Sequence, residues 1–236
     1  MARHPLDGAF RRVDRAREHT AHLKRRADAV RQEQEDALTF KVHPTMPDQM
    51  QAFISRNVPP HFMLGILTGE ICYNLRAALD YLIFELAYID SGQFQEATQF
   101  PIDDMKDVFA RNVARKLRGL NPKHVAQVEA LQPYNGCNWT RALRDISNPD
   151  KHRTLVSLQG DHLLDLLAVD AEHLHMLESM PGTVRRTHKP TGEEVYVKFR
   201  LTTSVQFRDG TPVIETLEVI ETQVAQTLEA FKTEFK

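Results

Sequence analysis

Cysteine is scarce: Cys72 and Cys137 are the only two in 236 residues. Two thiols without paired spacing make no zinc site, and they suggest no disulfide framework. That usage reads as a reducing compartment, so a cytoplasmic location is expected. An excess of charge of one sign is also missing. Thirty Lys and Arg residues against thirty-two Asp and Glu leave a net charge of -2, with a pI near 6.6. This excludes a generally basic nucleic-acid surface but leaves room for a local one. No apolar run has the length of a membrane span, so no membrane association is expected. Arg3 and His4 are followed by no apolar stretch, and no signal peptide is expected. The chain has no GxGxxG, Walker loop, GxSxG or HExxH motif. Glu70, Glu85 and Asp90 have no histidine at metal-ligand spacing, and His162, His173 and His175 are scattered. Neither a metal nor a cofactor is expected.

What is present is ordinary globular material, 42% hydrophobic and 26% charged. A chain of this length buries roughly two-thirds to three-quarters of its unfolded surface and needs no staple. The pattern predicts one α+β domain over 1–236. A helical core spans about 64–158, a sheet-rich part about 161–219, and a C-terminal helix about 220–235. A long charged helix over 8–36 carries only Phe10, Val13, Leu23 and Val30 as sparse apolar positions. It is expected to lie along the body or to pack in a dimer. Its run RRVDRAREHTAHLKRR is locally basic and reads as a solvated face or a phosphate-facing one.

Leu38, Phe40 and Val42 alternate as a short strand, and the segment from there to Pro60 reads as loop with at most one helical turn. The central helix ends near Ile89, with Leu75, Leu79, Leu82, Leu86 and Ile89 as its core stripe. Met105, Phe109, Val113 and Leu117 form a further stripe closed by Gly119. Asn121-Pro122 is a helix start. Asn138 can cap the helix that carries Trp139, Leu143 and Ile146. His162 to Val169 reads as a strand, although LLDLL is equally helical. In EVYVKFRLTTSVQF, Val195, Val197, Phe199, Leu201, Val205 and Phe207 share one face of a half-buried strand. Thr183 to His188 pairs back on it through KPTGE. Asp209-Gly210 is a hairpin signal, with a return strand expected over Thr211 to Glu218. A small antiparallel sheet of four or five strands, covered by the C-terminal helix, completes the expectation.

The sharpest polar cluster is RDISNPDKHR. Arg144, Asn148 and His152 are four apart and share a face if the helix continues past Pro149 with a kink. If it breaks there, Asn148 is the cap of a new helix and Pro149 its first residue. Both arrangements keep Asp150 and His152 at the junction. A histidine beside an arginine suits general acid-base work with the arginine holding a phosphate. The plain alternative is two caps and a backbone-bonded histidine. Arg76 and Asp80 on the central helix can pair on one face, most simply as architecture. The outward strand face of Tyr196, Lys198 and Arg200 either binds a partner or faces water.

The run GEICYNLRAALDYLIFEL, then TQFPI, LQPYNG and SNPDKHRTL, resembles a group of uncharacterised bacterial proteins over about Gly65 to Leu155. The helical part is also distantly similar to the HEPN superfamily, many of whose members are metal-independent ribonucleases acting as dimers. Others are inactive binding partners of nucleotidyltransferases. The family signature is an arginine, four to six residues, then a histidine, with a polar residue just after the arginine. Arg144 and His152 have seven residues between them, outside that spacing, and Asp145 fills the polar position. The resemblance implies RNA cleavage through the 2'-hydroxyl, with His152 moving the proton, Arg144 on the phosphorane and a homodimer around them. The residues themselves favour a non-enzymatic binding or scaffold protein, since each polar residue has an adequate structural explanation, with Arg76, Asp80, Asn148 and Asp150 as its polar positions and RNA or a protein as partner.

Overall fold

The structure is a computed structural model that describes residues 4–43, 45–46, 50–54, 62–152, 158–178, 181–189 and 191–235. Two compact units are present. The first contains Met1–Lys24, Phe62–Leu158 and Phe207–Lys236, and the second contains Arg25–His61 and Gln159–Gln206. The architecture is α+β, with long helices and small antiparallel pairings.

The first unit is helical. Helix α1, Asp7–Ala37, contributes its N-terminal part. Its buried stripe is Ala9, Val13, Ala16, Thr20 and Leu23, continued back to Leu6 in the turn before it. Those positions alternate in steps of three and four, so a helix with few large apolar residues still has a continuous seam. The seam is built largely from small side chains, which is why counting large ones understates it. Phe10 lies beside it, half-exposed, under the Lys232 ammonium at 5.2 Å. Helix α2, Phe62–Ser91, is the longest apolar element. Ile71, Leu75, Leu79, Leu82, Ile83 and Leu86 are fully buried, as the leucine spacing requires. Short helices α3, Lys106–Lys116, and α4, Pro122–Ala130, follow. The α4 start is the expected one: Asn121 caps, its side chain accepts from the His124 N–H, and Pro122 sits at the first position. Between α3 and α4, Gly119 has φ +87°, and a Cβ there would meet the Gln95 side chain at 2.8 Å. Helix α5 is Asn138–His152.

The last helix corrects the expected hairpin. Asp209-Gly210 is a turn, with the Asp209 carboxylate accepting from the Thr211 N–H at 3.0 Å, but no return strand follows. Pro212 instead occupies the N-cap position, and α7 runs Val213–Phe231. Val213 and Leu217 extend the Ile220, Val224, Leu228 stripe backward without a break. A helical period sustained over five turns outweighs a short alternation, and Pro212 has no N–H to give a ladder. The α7 stripe packs on α2 and α5, which also pack on each other. Helix α1 lies along α7 through Lys24–Glu218 at 2.5 Å and Arg17–Glu221 at 3.3 Å.

The second unit holds the strands. β1, Leu38–Val42, pairs antiparallel with β2, Met50–Ile54, in the register Leu38↔Ile54 to Val42↔Met50. β2 falls where loop was expected. Its five residues show no period of their own, and pairing with β1 is what makes them a strand. β3, Leu158–Asp170, is a strand as expected, followed by the single helical turn α6, His175–Glu178. β4, Thr183–His188, and β5, Glu194–Phe207, form the expected antiparallel hairpin with Thr183↔Phe199 and His188↔Glu194 in register. The order is β3-β5-β4, so β5 is central and the five strands form two sheets of two and three. Leu38, Phe40, Val195, Val197, Phe199 and Leu201 make the core of this unit. Phe40 and Phe199 meet at 4.9 Å between centroids. The apolar face of β5 is thus covered by the β1–β2 hairpin. Arg185 donates to the Leu38 and Glu35 carbonyls, and Thr187 to the Phe40 carbonyl, so side chains of β4 satisfy the backbone beside them.

Candidate functional site

Several polar residues of the first unit converge on one loop, Gln99 to Asp104, between α2 and α3. Arg76 and Asp80 do lie on one face of α2, and they act together on a single residue of that loop. Asp80 Oδ1 accepts from the Phe100 N–H at 2.9 Å, and Arg76 Nη2 donates to the Phe100 carbonyl at 3.2 Å. Phe100 itself is fully buried. Burial pushes the Arg76 guanidinium below its ordinary value, and Asp80 acts in the opposite direction. The second guanidinium nitrogen, Nη1, is buried with no hydrogen-bond partner among the described residues. Gln132 then reads the next two peptides. Its Oε1 accepts from the Asp103 N–H, and its Nε2 donates to the Pro101 carbonyl, both at 2.9 Å. Asn112 donates to both Asp103 oxygens at 3.0 Å. A loop whose backbone is held at Gln99, Phe100, Pro101 and Asp103 is well fixed, and Asp104 follows directly on the last of these points.

Asp104 faces α5 and takes two of its arginines. Arg144 Nη1 lies 2.6 Å from Oδ2, and Arg141 Nε lies 3.1 Å from Oδ1. Asp145 takes the other edge of Arg144, at 2.7 Å from Nη2 and 2.8 Å from Nε. The Arg144 side chain is 20% exposed and held by two carboxylates. The hydrogen bond from Arg144 draws Asp104 below the ordinary carboxylate value. Partial burial lowers the Arg144 value, but the two carboxylates more than offset this and the net direction is upward. The arginine expected to hold a phosphate is therefore already neutralised by its own neighbours.

Helix α5 continues through Pro149 to His152, so of the two arrangements expected there the unbroken one is found. Proline gives no N–H to the Asp145 carbonyl at that turn. Asn148 is exposed on this helix. The side chains of Asp150 and His152 lie outside the described residues. Arg76 and Asp80 belong to the loop clasp, and Arg144 and Asp145 to the α5 cluster. The clasp and the cluster meet only through the loop that the first holds and the second grips.

Compared with protein-family models, curated proteins and solved structures, the chain shows no match.

Two features were not visible in the sequence. The first is a buried histidine. His124 Nδ1 is 2.7 Å from Asp90 Oδ2, and its Nε2 is 3.4 Å from Glu234. Asp90 also accepts from Asn121 through its backbone N–H at 2.8 Å and its amide at 2.7 Å. This ties the end of α2 to the start of α4 and to the C-terminal turn. Asn121-Pro122 signals the cap, but nothing local signals that Asp90, thirty-one residues away, will meet it.

The second is the outward face of α2. Tyr73 is 54% exposed, and Met63, Tyr81 and Tyr88 are also exposed. Phe94 is 74% exposed and stacks between Phe84 at 5.8 Å and Tyr88 at 4.8 Å. The Arg12 guanidinium sits 5.8 Å from the Tyr73 ring and 5.5 Å from the Tyr81 ring. It donates to the Asn74 side-chain oxygen and the Tyr81 hydroxyl, both at 3.2 Å. Periodicity identifies the buried leucines of α2 and says nothing about what its other side is for. In the second unit, Lys198 is 8% exposed and Tyr196 donates to Glu194 at 3.0 Å. The Tyr196, Lys198, Arg200 face is thus not an open row of polar groups. Among the described residues, no group of three or more His, Cys, Asp or Glu side chains is placed to hold a metal ion. No helix among them is long and apolar enough to cross a membrane.

Proposed function

We propose that this chain is a non-enzymatic binding or scaffold protein that works through a protein-facing surface. The supporting observation is the state of Arg144. An arginine that stabilises a phosphorane must offer an unoccupied edge to the phosphate. Here one edge is taken by Asp104 at 2.6 Å and the other by Asp145 at 2.7 Å. Displacing both would cost the strongest kind of hydrogen bond available to it. The clasp at Arg76 and Asp80 is accounted for by the loop backbone it holds.

The second reading is an HEPN-like, metal-independent ribonuclease that requires a homodimer. It gains from the continuity of α5, which carries Arg144 and the backbone of His152 on one helix. Eight residues of helix separate them by about 12 Å along the axis. The deciding experiment incubates the full chain with single-stranded RNA in the presence of a chelator, beside the Arg144→Ala and His152→Ala variants. No cleavage above the no-protein control is expected from any of the three. Products ending in a 2',3'-cyclic phosphate that disappear in His152→Ala would overturn the scaffold reading in favour of the ribonuclease.

A further inference from the structure

A surface helix of a globular protein normally turns a polar face to water. Helix α2 does not. Its inward side is leucine and isoleucine, and its outward side is Met63, Tyr73, Tyr81, Phe84 and Tyr88, with Phe94 stacked on the end. Single exposed apolar residues need no explanation, whereas a continuous band of them along one helix marks an interface. Tyr73, Tyr81 and Tyr88 recur in steps of eight and seven, which keeps them on one side of the helix. Ala77, between Tyr73 and Tyr81, leaves a shallow place in the band.

Charge decides what the band receives. The only basic residue of α2 is Arg76, which is buried. Its exposed Glu70 and half-buried Glu85 would repel a phosphate backbone. Aromatic rings, methionine and arginine without lysine are instead the composition of a protein–protein contact. The cations are next door on α1: Arg12 over the tyrosines, and exposed Arg11 and Arg15. A cationic edge on α1 beside an acidic and aromatic band on α2 complements itself when turned by a two-fold axis.

We propose that the outward face of α2, with the first turns of α1, is the seam of a two-fold dimer of this chain. An antiparallel crossing centred at Tyr81 sets Tyr73 of each copy across from Tyr88 of the other. It sets Phe84 of each against the shallow place at Ala77. Met63 to Tyr88 spans about 38 Å of helix. At the width of one helix, about 10 Å, α2 alone gives about 380 Å² on each side, and the first turns of α1 add to it toward the roughly 800 Å² per partner of a stable complex. The proposal rests on the scaffold reading for what the seam is used for, and its geometry rests on α1 and α2 alone.

Analytical ultracentrifugation of the full chain across the micromolar range tests it. The wild type is expected to sediment as a dimer. Tyr81→Glu, which sets two carboxylates against each other on the axis, is expected to weaken association about 100-fold with an unchanged far-UV spectrum. If that variant fails to fold, a cross-link decides. Tyr81→Cys in a Cys137→Ser background is expected to give a disulfide-linked dimer on mild oxidation, whereas Val219→Cys on α7 in the same background is not. A monomeric wild type, a dimer that Tyr81→Glu leaves intact, or an equal cross-link at position 219 would overturn the seam. So would single-stranded RNA bound by the wild type and lost in Tyr81→Glu. A monomer without ribonuclease activity overturns the seam and leaves the scaffold reading standing. A dimer that cleaves RNA keeps the seam and overturns the scaffold reading.

Discussion

Arg76 and Asp80 show how much one pair of side chains can decide. Four residues apart on α2, they hold the two sides of the Phe100 peptide, and Phe100 closes the core beneath them. Replacing Arg76 by methionine removes the donor to the Phe100 carbonyl and the nearby positive charge beside Asp80. A loss of about 2–4 kcal/mol is expected, read as a lower midpoint in urea denaturation with an unchanged slope. Asp80→Asn keeps an oxygen that can accept from the Phe100 N–H, so it should cost about half as much or less. Equal and negligible losses in both variants would mean that Gln132 and Asn112 hold the loop without the clasp. The i, i+4 spacing made the pair legible as architecture. Its object was not legible, because Phe100 is 24 residues from Arg76 and nothing local links them. Asp104 was missed for the same reason. It looks like any loop acid until the strapped loop brings it within 2.6 Å of Arg144.

At the scale of elements, α1 and α7 meet through Glu221, whose side chain takes Arg17 and the Thr20 hydroxyl, both at 3.3 Å. Burial raises the Glu221 carboxyl above its ordinary value, and Arg17 and Thr20 only partly oppose it. A carboxyl raised on folding binds its proton more tightly in the folded state than in the unfolded chain. Stability from this group is therefore full below the ordinary carboxylate value and falls as the pH rises through the folded value. Asp104 runs the other way: being depressed, it contributes above the ordinary value and loses that contribution in acid. Glu221→Gln keeps an acceptor for Thr20 and removes the charged form. Thermal unfolding from pH 4 to 8 should show a smaller loss toward neutrality in the variant than in the wild type. A steeper loss would mean that the Arg17 pair outweighs the burial. Long elements of this kind were the most legible part of the chain, since α2, α7 and β5 each repeat their period many times. β2 and the start of α7 were not. Five residues of β2 become a strand only beside β1, and Thr211 to Glu218 fits both periods until Val213 and Leu217 join the later stripe.

At the scale of the whole molecule, the second unit is assembled from two separate stretches, 25–61 and 159–206, set into a chain that otherwise builds helices. The division follows contacts between stretches about a hundred residues apart in the sequence, which no local pattern announces. Each unit has its own buried apolar cluster. In the second it is six residues centred on Phe40 and Phe199, and in the first it is the leucine stripe of α2 with the stripes of α1, α5 and α7. Separate cores allow separate loss. Phe199→Ala removes a ring that touches Phe40 at 4.9 Å and carries the Arg185 guanidinium at 5.2 Å. The expected cost is about 3–5 kcal/mol, and it falls on the second unit. Hydrogen exchange should then show β1, β4 and β5 losing protection while α2 and α7 keep theirs, and the far-UV melt should split into an early minor step and a later helical one. A single step, with α2 and β5 exchanging together at the lowered stability, would show that the two cores unfold as one cooperative unit. In that case α1, whose 31 residues run from the first unit into the second, would be the element that couples them.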